Sequence, residues 1–592
     1  MEIKQYTNKN VHKIKINAYE PIINFNFAEK RPKKFKTNKI KINGQEIKIK
    51  ETAVGLEISK SLDINEHILG LGEKAFELDR RRTKLTMWNT DSYAYKQYTD
   101  PLYVSIPFFI DITKNSRLGI FVNYAGKLIF DIGIEKYDEL RIKIPNSSVE
   151  FFAIEGKNIK EIIRNFVKLT GMPFKIPDWA LGHSISRYSY FPQEKVIEVL
   201  KEYKKYTKVD TLYLDIDYMN KNRIFEWNRE YFPNPKKMIN EIHKLGTKIV
   251  TIIDPAVIAD QNDNLFISGI GKYCETQNGE IYTADVWAGK SVFPDFLNKE
   301  TRKWWTDNIK RWINTYKIDG IWLDMNEPAA FTQTKTLDNN VLHAGGKKTI
   351  KHSELHNAYS YFEALATYEA IKDKFILSRA GYAGIQKYAA IWSGDSVSSW
   401  DDMKIQIPLL LSLSISGIPY VGCDIGGFVG RSDHELLARY YQMAAFFPIF
   451  RNHKNKDGND QEIYNIEEKQ REKIKKAIDT RYLFMGYIKE LADNAHKNGE
   501  PIIRPLLYEF ESDENAYNVN DEYMVGEHIL YAPILEKDKD SREVYLPNDK
   551  WLEFNSNIEF QGPCYVKSTG DMPIFIRKGT TLKLTDKRII KY

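Results

Sequence analysis

Between residues 180 and 453 short apolar runs recur, most ending on a polar residue, with segments of helical period between most of them. The runs are ALGHSIS (180–186), TLYLDID (211–217), KIVTIID (248–254), GIWLDMN (320–326), FILSRA (375–380), AAIWSGD (389–395), IPYVGCDIGG (418–427) and FPIFRNH (447–453). Continuous apolar runs of this length suit strands buried on both faces, as in parallel sheets. The intervening segments PQEKVIEVLKEYKKY, PKKMINEIHKLG, KETRKWWTDNIKRWINTYK, SELHNAYSYFEALATYEAIKDK and DHELLARYYQMAAF carry helical periodicity. Eight strands with helices between them predict a (β/α)8 barrel. Before it, HKIKINAYEPIINFNF, IKINGQEIKIK and RLGIFVNYAGKLIFDIG alternate apolar and polar residues, with a turn at Asn43-Gly44. After Asn498-Gly499 the chain returns to short strands. The expected architecture is therefore multidomain α/β. An antiparallel β-sandwich spans 1–172, the barrel 173–500 and a small β domain 501–592. Two long connections, 256–296 and 331–352, follow the third and fourth strands and belong on the face that usually carries active sites.

The strand ends carry Asp215 and Asp217, Asp254, Asp324 and Glu327, Arg379, Asp395, Asp424, Arg451 and His453. One Asp after a strand is ordinarily a helix N-cap. In a barrel, however, the C-terminal ends of all strands converge on one pit, so this many together indicate a site. Carboxylates accept hydrogen bonds from sugar hydroxyls and Trp faces cover sugar rings, so a pit rich in both suits a carbohydrate. With 11 His and no HxH or HExxH pair, metal catalysis lacks its usual ligands.

Composition narrows the remaining classes. A net charge of +6 from 86 basic and 80 acidic residues, interspersed, does not suit nucleic-acid binding. The Lys-rich KRPKKFK stretch near the N-terminus reads as solvated. Cys274, Cys423 and Cys564 are few, odd in number and far apart, which fits neither a disulfide framework nor a zinc cluster. The N-terminus lacks a secretory apolar core, and no run of 18 apolar residues occurs; the stretch around Ile407–Ile415 is short and broken by serines. A cytoplasmic protein without cofactor, membrane or nucleic-acid partner is expected, with assembly into a homo-oligomer left open.

DGIWLDMNEPAAF (319–331) resembles the signature of glycoside hydrolase family 31. LYLDIDYM (212–219), VWAGKSVFPDF (286–296), SRAGYAG and WSGD (378–395), GIPYVGCDIGGF (417–428) and FRNH (450–453) agree with it in order. WNTDSYAY (88–95) and MPIFIRKGTTL (572–582) extend the likeness to about 500 residues. The resemblance implies a retaining exo-α-glucosidase acting on maltose-type oligosaccharides, with Asp324 as nucleophile and Asp395 as general acid/base. It implies hydroxyl binding by Asp215, Arg379, Asp424 and His453, and pocket walls from Trp287, Trp322, Met325, Trp392 and Phe428. Ile216 and Ile252 are placed with the substrate-binding residues, and Asp91 on an N-domain loop that reaches the substrate. Asn326-Glu327-Pro328 and the loop 338–360 resemble the α-glucosidase branch, whereas WSGDSVSSW departs from the WLGDN of many members. A transglucosylase, an α-xylosidase and a non-catalytic sugar-binding protein on the same fold are the alternatives.

Overall fold

The computed structural model describes residues 1–345, 348–585 and 589–591. The N-terminal region is two antiparallel sheets. The seven-stranded sheet includes Ile3–Asn8, Val11–Ile16, Arg117–Val122 and Val149–Glu155, and the six-stranded one Gln45–Thr52, Gly55–Ser61 and Leu128–Ile132. Alternation drives this packing. Ile47, Ile49 and Ile58 from one sheet meet Phe109, Ile120 and Phe151 from the other in a shared core. Lys39–Ile42 pairs with Gln45–Thr52 through a two-residue turn in which Asn43 and Gly44 have φ 47° and 80°. That conformation is the reason for Asn-Gly at this position. The helix Ile159–Thr170, capped by Asn158 accepting from Glu161 N, lies on the seven-stranded sheet, with Phe166 stacked on Phe108.

All eight expected barrel strands are present. In order they are His183–Ile185, Thr211–Leu214, Lys248–Ile253, Gly320–Leu323, Phe375–Ser378, Ala390–Trp392, Val421–Gly422 with Asp424–Ile425, and Phe450–Asn452. Each pairs in parallel with the next. The last pairs with the first, which closes the ring. Cys423 interrupts the seventh strand, whose first half pairs with the sixth strand and second half with the eighth. Arg481 braces the barrel bottom, donating to the carbonyls of Leu181, Ala445, Phe447 and Pro448.

The five expected helices form over Gln193–Lys204, Pro235–Lys244, Lys299–Tyr316, Tyr359–Ile371 and His434–Met443. A further helix, Trp400–Ile415, follows the sixth strand, where the sequence periodicity marks none. It starts at Ser399, which accepts from Asp402 N, and contains Pro408. From Met403 onward it is buried almost all round, so it lacks the amphipathic period that marks surface helices.

The connection over 256–296 carries the strands Val257–Ile258, Thr283–Val286 and Gly289–Val292 as one small sheet. That over 331–352 carries the hairpin Leu342–Gly345/Lys348–Lys351, and its residues 346 and 347 lie outside the described residues. An arm of the N-terminal region crosses the barrel mouth. Val104–Ser105 pairs with Gly381–Tyr382, and Tyr95 bridges Ser396. A six-stranded sheet including Ile529–Tyr531 and Ile574–Arg577 forms the C-terminal part. No described helix is long and apolar enough to cross a membrane.

Candidate active site

The fourth strand ends at Leu323, and the next residue, Asp324, donates its backbone N–H to Ile253 O. Met325 follows with φ 56°, a left-handed conformation uncommon for a side chain of its size. The turn is held by Asn326, whose amide donates to Glu363 and Ser378 and whose oxygen accepts from Ala380 N. Arg379, at the end of the fifth strand, donates its backbone N–H to Leu323 O, which fixes the two strand ends side by side.

Arg379 is the hub of the pit. Its Nε and Nη2 donate to the two oxygens of Glu327 at 2.9 Å each. Nε also lies 3.1 Å from Asp324 Oδ1, and Nη1 lies 3.6 Å from Asp395 Oδ2 and 3.9 Å from Asp91 Oδ1. Nη2 touches Met325 Sδ at 3.1 Å. One guanidinium therefore faces four carboxylates, two of them expected as the catalytic pair. Tyr103, from the crossing arm, puts its ring under Arg379 at 5.1 Å, and its hydroxyl accepts from Asp395 N. Gly394 allows this approach, since a Cβ there would lie 2.3 Å from the Tyr103 ring.

A second cluster forms the pit's other side. Arg451 donates to Asp424 at 2.7 Å and lies 4.6 Å over Trp322 and 5.1 Å over Trp392. The two indoles meet edge to face. His453 Nδ1 is 2.7 Å from Ser186 Oγ and Nε2 is 3.6 Å from Asp215 Oδ2, while the ring stacks on Phe428 and meets Trp322 edge on. Asp215 Oδ1 accepts from Ile216 N. Ile216 and Ile252 are buried, and Ile252 stands beside Trp322 in the sheet register.

Trp287 stands apart. It occupies the turn of the Thr283–Val286/Gly289–Val292 hairpin, 45% exposed, with its ring edge to face with Phe331.

Several buried polar atoms here make no hydrogen bond: Asp324 Oδ1, Asp424 Oδ2, Asp254 Oδ1, Trp322 Nε1 and Trp392 Nε1. Buried polar atoms are normally paired, so their convergence points to a polar ligand rich in hydroxyls. Burial raises the carboxyls of Asp395, Asp215 and Asp254 well above the usual range, and Asp424 to about 6 despite Arg451. Burial also raises Asp324, with Arg379 opposing it, and Asp91 adding to the rise. His453 is held neutral by burial, helped by nearby Arg451.

Glu327, Asp254, Arg451 and Asp217 figure in the strand-end pattern without an assigned role; the structure puts the first three in the pit, and Asp217 half-buried in the short turn Ile216–Tyr218 after the second strand. Ser186 ends the first run but is not among the strand-end residues singled out, and Tyr103 lies outside the pattern; both enter through contact. Asp254 supplies one test. Its carboxyl has a raised folded pKa, so the stability it contributes is present below its unfolded pKa and is lost as pH rises through the folded one. Asp254→Asn is expected to raise the melting temperature by a few degrees at pH 8 and less at pH 5. Equal melting shifts at both pH values would show that ionisation there costs nothing.

Family models match along the chain: the Glycosyl hydrolase 31 N-terminal galactose mutarotase-like domain at 2–131, the Glycosyl hydrolases family 31 TIM-barrel domain at 173–491 and the Glycosyl hydrolase family 31 C-terminal domain at 499–582. The chain is 44% identical to an alpha-glucosidase of Saccharolobus solfataricus, over 100% of this chain and 89% of that one. It is 38% identical to alpha-glucosidase 2 of Bacillus thermoamyloliquefaciens, over 89% and 68%. Among solved structures, a Flavobacterium johnsoniae dextranase complexed with isomaltotriose superposes with a TM-score of 0.89 at 27% identity, covering 98% of this chain and 79% of that one. Three domain matches in register and a full-length relative at this identity leave one assignment: the chain belongs to glycoside hydrolase family 31 and is a glycoside hydrolase.

Proposed function

We propose that the protein is an exo-acting, retaining α-glucosidase that releases terminal glucose from maltose-type oligosaccharides through a covalent glycosyl-enzyme. One observation carries the reading: Asp324 and Asp395, from the ends of different strands, face the same guanidinium at 3.1 and 3.6 Å. A shared guanidinium holds both carboxyls in one pit, and a retaining mechanism requires them roughly 5–5.5 Å apart, without the wider gap that leaves room for a water. Their environments differ in the useful direction. Asp324, closer to Arg379, is the better candidate to stay ionised, and Asp395, pushed well above the carboxylate range by burial, the better proton donor.

In this scheme an Asp324 oxygen attacks C1 from the face opposite the leaving oxygen. The C1–O bond breaks as Asp395 delivers its proton to that oxygen, leaving a β-glucosyl ester. Ester formation removes the negative charge from Asp324, so Asp395 ionises more readily. It then takes a proton from water as the water attacks C1, the ester bond breaks and α-glucose leaves. Asp215, His453 and Asp424 with Arg451 are the proposed partners of the glucose hydroxyls, and Trp322 and Trp392 the walls. The arm bearing Asp91 and Tyr103 covers one side of the mouth, which supports entry by chain ends.

Two measurements test this. Proton NMR of early maltose hydrolysis is expected to detect α-glucose first, before mutarotation; β-glucose first would mean inversion. The pH profile of kcat/KM should be bell-shaped, with rate lost at low pH as Asp324 protonates and at high pH as Asp395 ionises. The alkaline limb should lie well above ordinary carboxylate values and vanish in Asp395→Ala assayed with an aryl glucoside of good leaving group.

The dextranase neighbour acts on another glucan, so linkage preference needs its own test. Maltose is expected to exceed isomaltose in kcat/KM, and an aryl α-xyloside to be poor. Starch viscosity should fall slowly while glucose appears early. Longer oligosaccharides as the main product of maltose would favour transglucosylation instead.

A further inference from the structure

A second cluster of polar side chains lies buried beneath the two long connections. Cys274 and Asp295 come from the excursion over 256–296 and His343 from the Leu342–Gly345 strand. One ligand atom from each lies within 4.8 Å of the others. His343 Nδ1 is 3.6 Å from Cys274 Sγ and 3.1 Å from Asp295 Oδ1. The other His343 nitrogen opens a wire: His343 Nε2 to His352 Nδ1 at 3.1 Å, His352 Nε2 to His356 Nδ1 at 2.9 Å, and His356 Nε2 to the Asn89 carbonyl at 2.7 Å.

The wire has a proton-count problem. Both ends, the Asp295 carboxylate and the Asn89 carbonyl, are acceptors. Four links therefore need four protons, and three neutral imidazoles hold three. All three rings are wholly buried, where an added proton would bring an unscreened charge. The Thr336 hydroxyl, 3.4 Å from His356 Nδ1, already donates to Pro328 O. If all three rings instead point their Nε2–H toward Asn89, the three protons suffice. The bare Nδ1 of His343 then faces Asp295 Oδ1 and Cys274 Sγ, and one thiol proton cannot serve all three atoms. Apart from His343 itself, Asp295 has no Lys, Arg or His within ion-pair distance among the described residues. It accepts from Leu297 N and Ala344 N, while Arg302 donates to the carbonyls of Phe296 and Leu297.

We propose that Cys274, Asp295 and His343 bind a divalent transition-metal ion of the zinc class, in a structural site that clamps the 256–296 excursion to the 342–351 hairpin. A cation at this point satisfies all three atoms at once and leaves the wire correctly protonated. A ligating His whose other N–H is held by an acceptor is the usual outer-sphere arrangement. The separations fit as well. Tetrahedral zinc with ordinary bond lengths sets S and N about 3.6 Å apart and N and O about 3.4 Å apart. The Pro294 carbonyl oxygen, 3.8 Å from Cys274 Sγ, offers a fourth ligand. The ligands are 21 and 48 residues apart in sequence, so no compact motif announces them.

Elemental analysis of protein purified from zinc-replete medium without chelator tests this directly. The wild type is expected to hold about one ion per chain and Cys274→Ser almost none. Chelated wild type refilled with cobalt(II) should gain a thiolate-to-cobalt charge-transfer absorption that Cys274→Ser lacks. Returning zinc to chelated wild type should raise its melting temperature by several degrees and leave that of the variant unchanged. If the wild type carries no ion, gives no cobalt band and melts alike with and without zinc, the cluster is held by a fourth proton and the proposal fails. Equal metal content in the variant would overturn it too. If Cys274→Ser does not fold, the cobalt and zinc measurements on wild type alone decide. None of these readouts depends on catalysis.

Discussion

Asp395→Ala is expected to lose about 10²–10⁴-fold in rate on maltose yet still form the glycosyl-enzyme from α-glucosyl fluoride. The alkoxide leaving group of maltose needs a proton and fluoride does not, so removing the donor penalises only the first substrate. The second step then lacks its base, and the ester accumulates. Azide needs no deprotonation and should release it as α-glucosyl azide, the product of two inversions. Asp324→Ala loses the nucleophile and should be inactive on both substrates, with a larger loss, because the covalent route itself is gone. Any azide rescue there would be a single displacement giving the β-azide, with no enzyme adduct. Mass spectrometry of intact protein decides between the roles. A hexose adduct on Asp395→Ala and none on Asp324→Ala supports the assignment; the opposite pattern reverses it. The structure supplies a reason to expect separable effects. The two residues follow different strands, and their backbone N–H groups donate to different partners, Ile253 O for Asp324 and the Tyr103 hydroxyl for Asp395, so either side chain can be removed without losing the other's backbone support.

The barrel was legible because its strands are buried on both faces. GIWL and TLYL read as nearly unbroken apolar runs, which suit strands of a parallel sheet covered on both faces, and eight such runs in succession fit a closed barrel. The helix Trp400–Ile415 was not legible for the complementary reason: it is buried nearly all round, with polar and apolar residues alike, and shows no face. The pit was legible as polar residues at strand ends, a pattern that depends only on position along each strand. Arg379, Asp424 and His453 all came to it that way. Ser186 holds the same position at the end of the first run, but a lone serine says little there, and Tyr103 in an N-terminal arm carries no such signal until folding sets them against His453 and Arg379. Trp287 marks the reverse limit. Its motif is clear in the sequence, but its side chain sits on a hairpin turn beside Phe331, and its approach to a sugar depends on that hairpin's position. The Cys274–Asp295–His343 cluster was hidden by distance along the chain, and counting cysteines argued against it.

Arg379→Met should be among the most damaging single changes outside the catalytic pair, for activity and for stability together. The guanidinium is nearly fully buried and is the counter-charge for Glu327, which is wholly buried and held at 2.9 Å through both oxygens. Breaking a buried pair by removing one partner typically costs about 3–5 kcal/mol, because the remaining charge is stranded. Here Glu327, Asp324 and Asp395 are all stranded at once. Without Arg379 their folded-state pKa values rise further above the unfolded ones. The folded protein then binds more protons than the unfolded chain, so stability falls as pH increases through the raised values. The variant's melting temperature should therefore lie below wild type by more at pH 8 than at pH 5. The nucleophile is affected in the same way. With Asp324 less easily ionised, the acid limb of the pH profile moves up, and kcat at neutral pH should fall at least about a hundredfold. Arg379→Lys keeps a charge but not the fork that grips both Glu327 oxygens, and should fall between the two. Adding Glu327→Gln to Arg379→Met removes one stranded charge, so the double variant should recover part of the stability and little of the activity. Calorimetry at two pH values with a double-mutant cycle separates these terms. A pH-independent melting difference, or full additivity of the two substitutions, would show that Arg379 acts by packing and not as the counter-charge that lets this acidic pit fold.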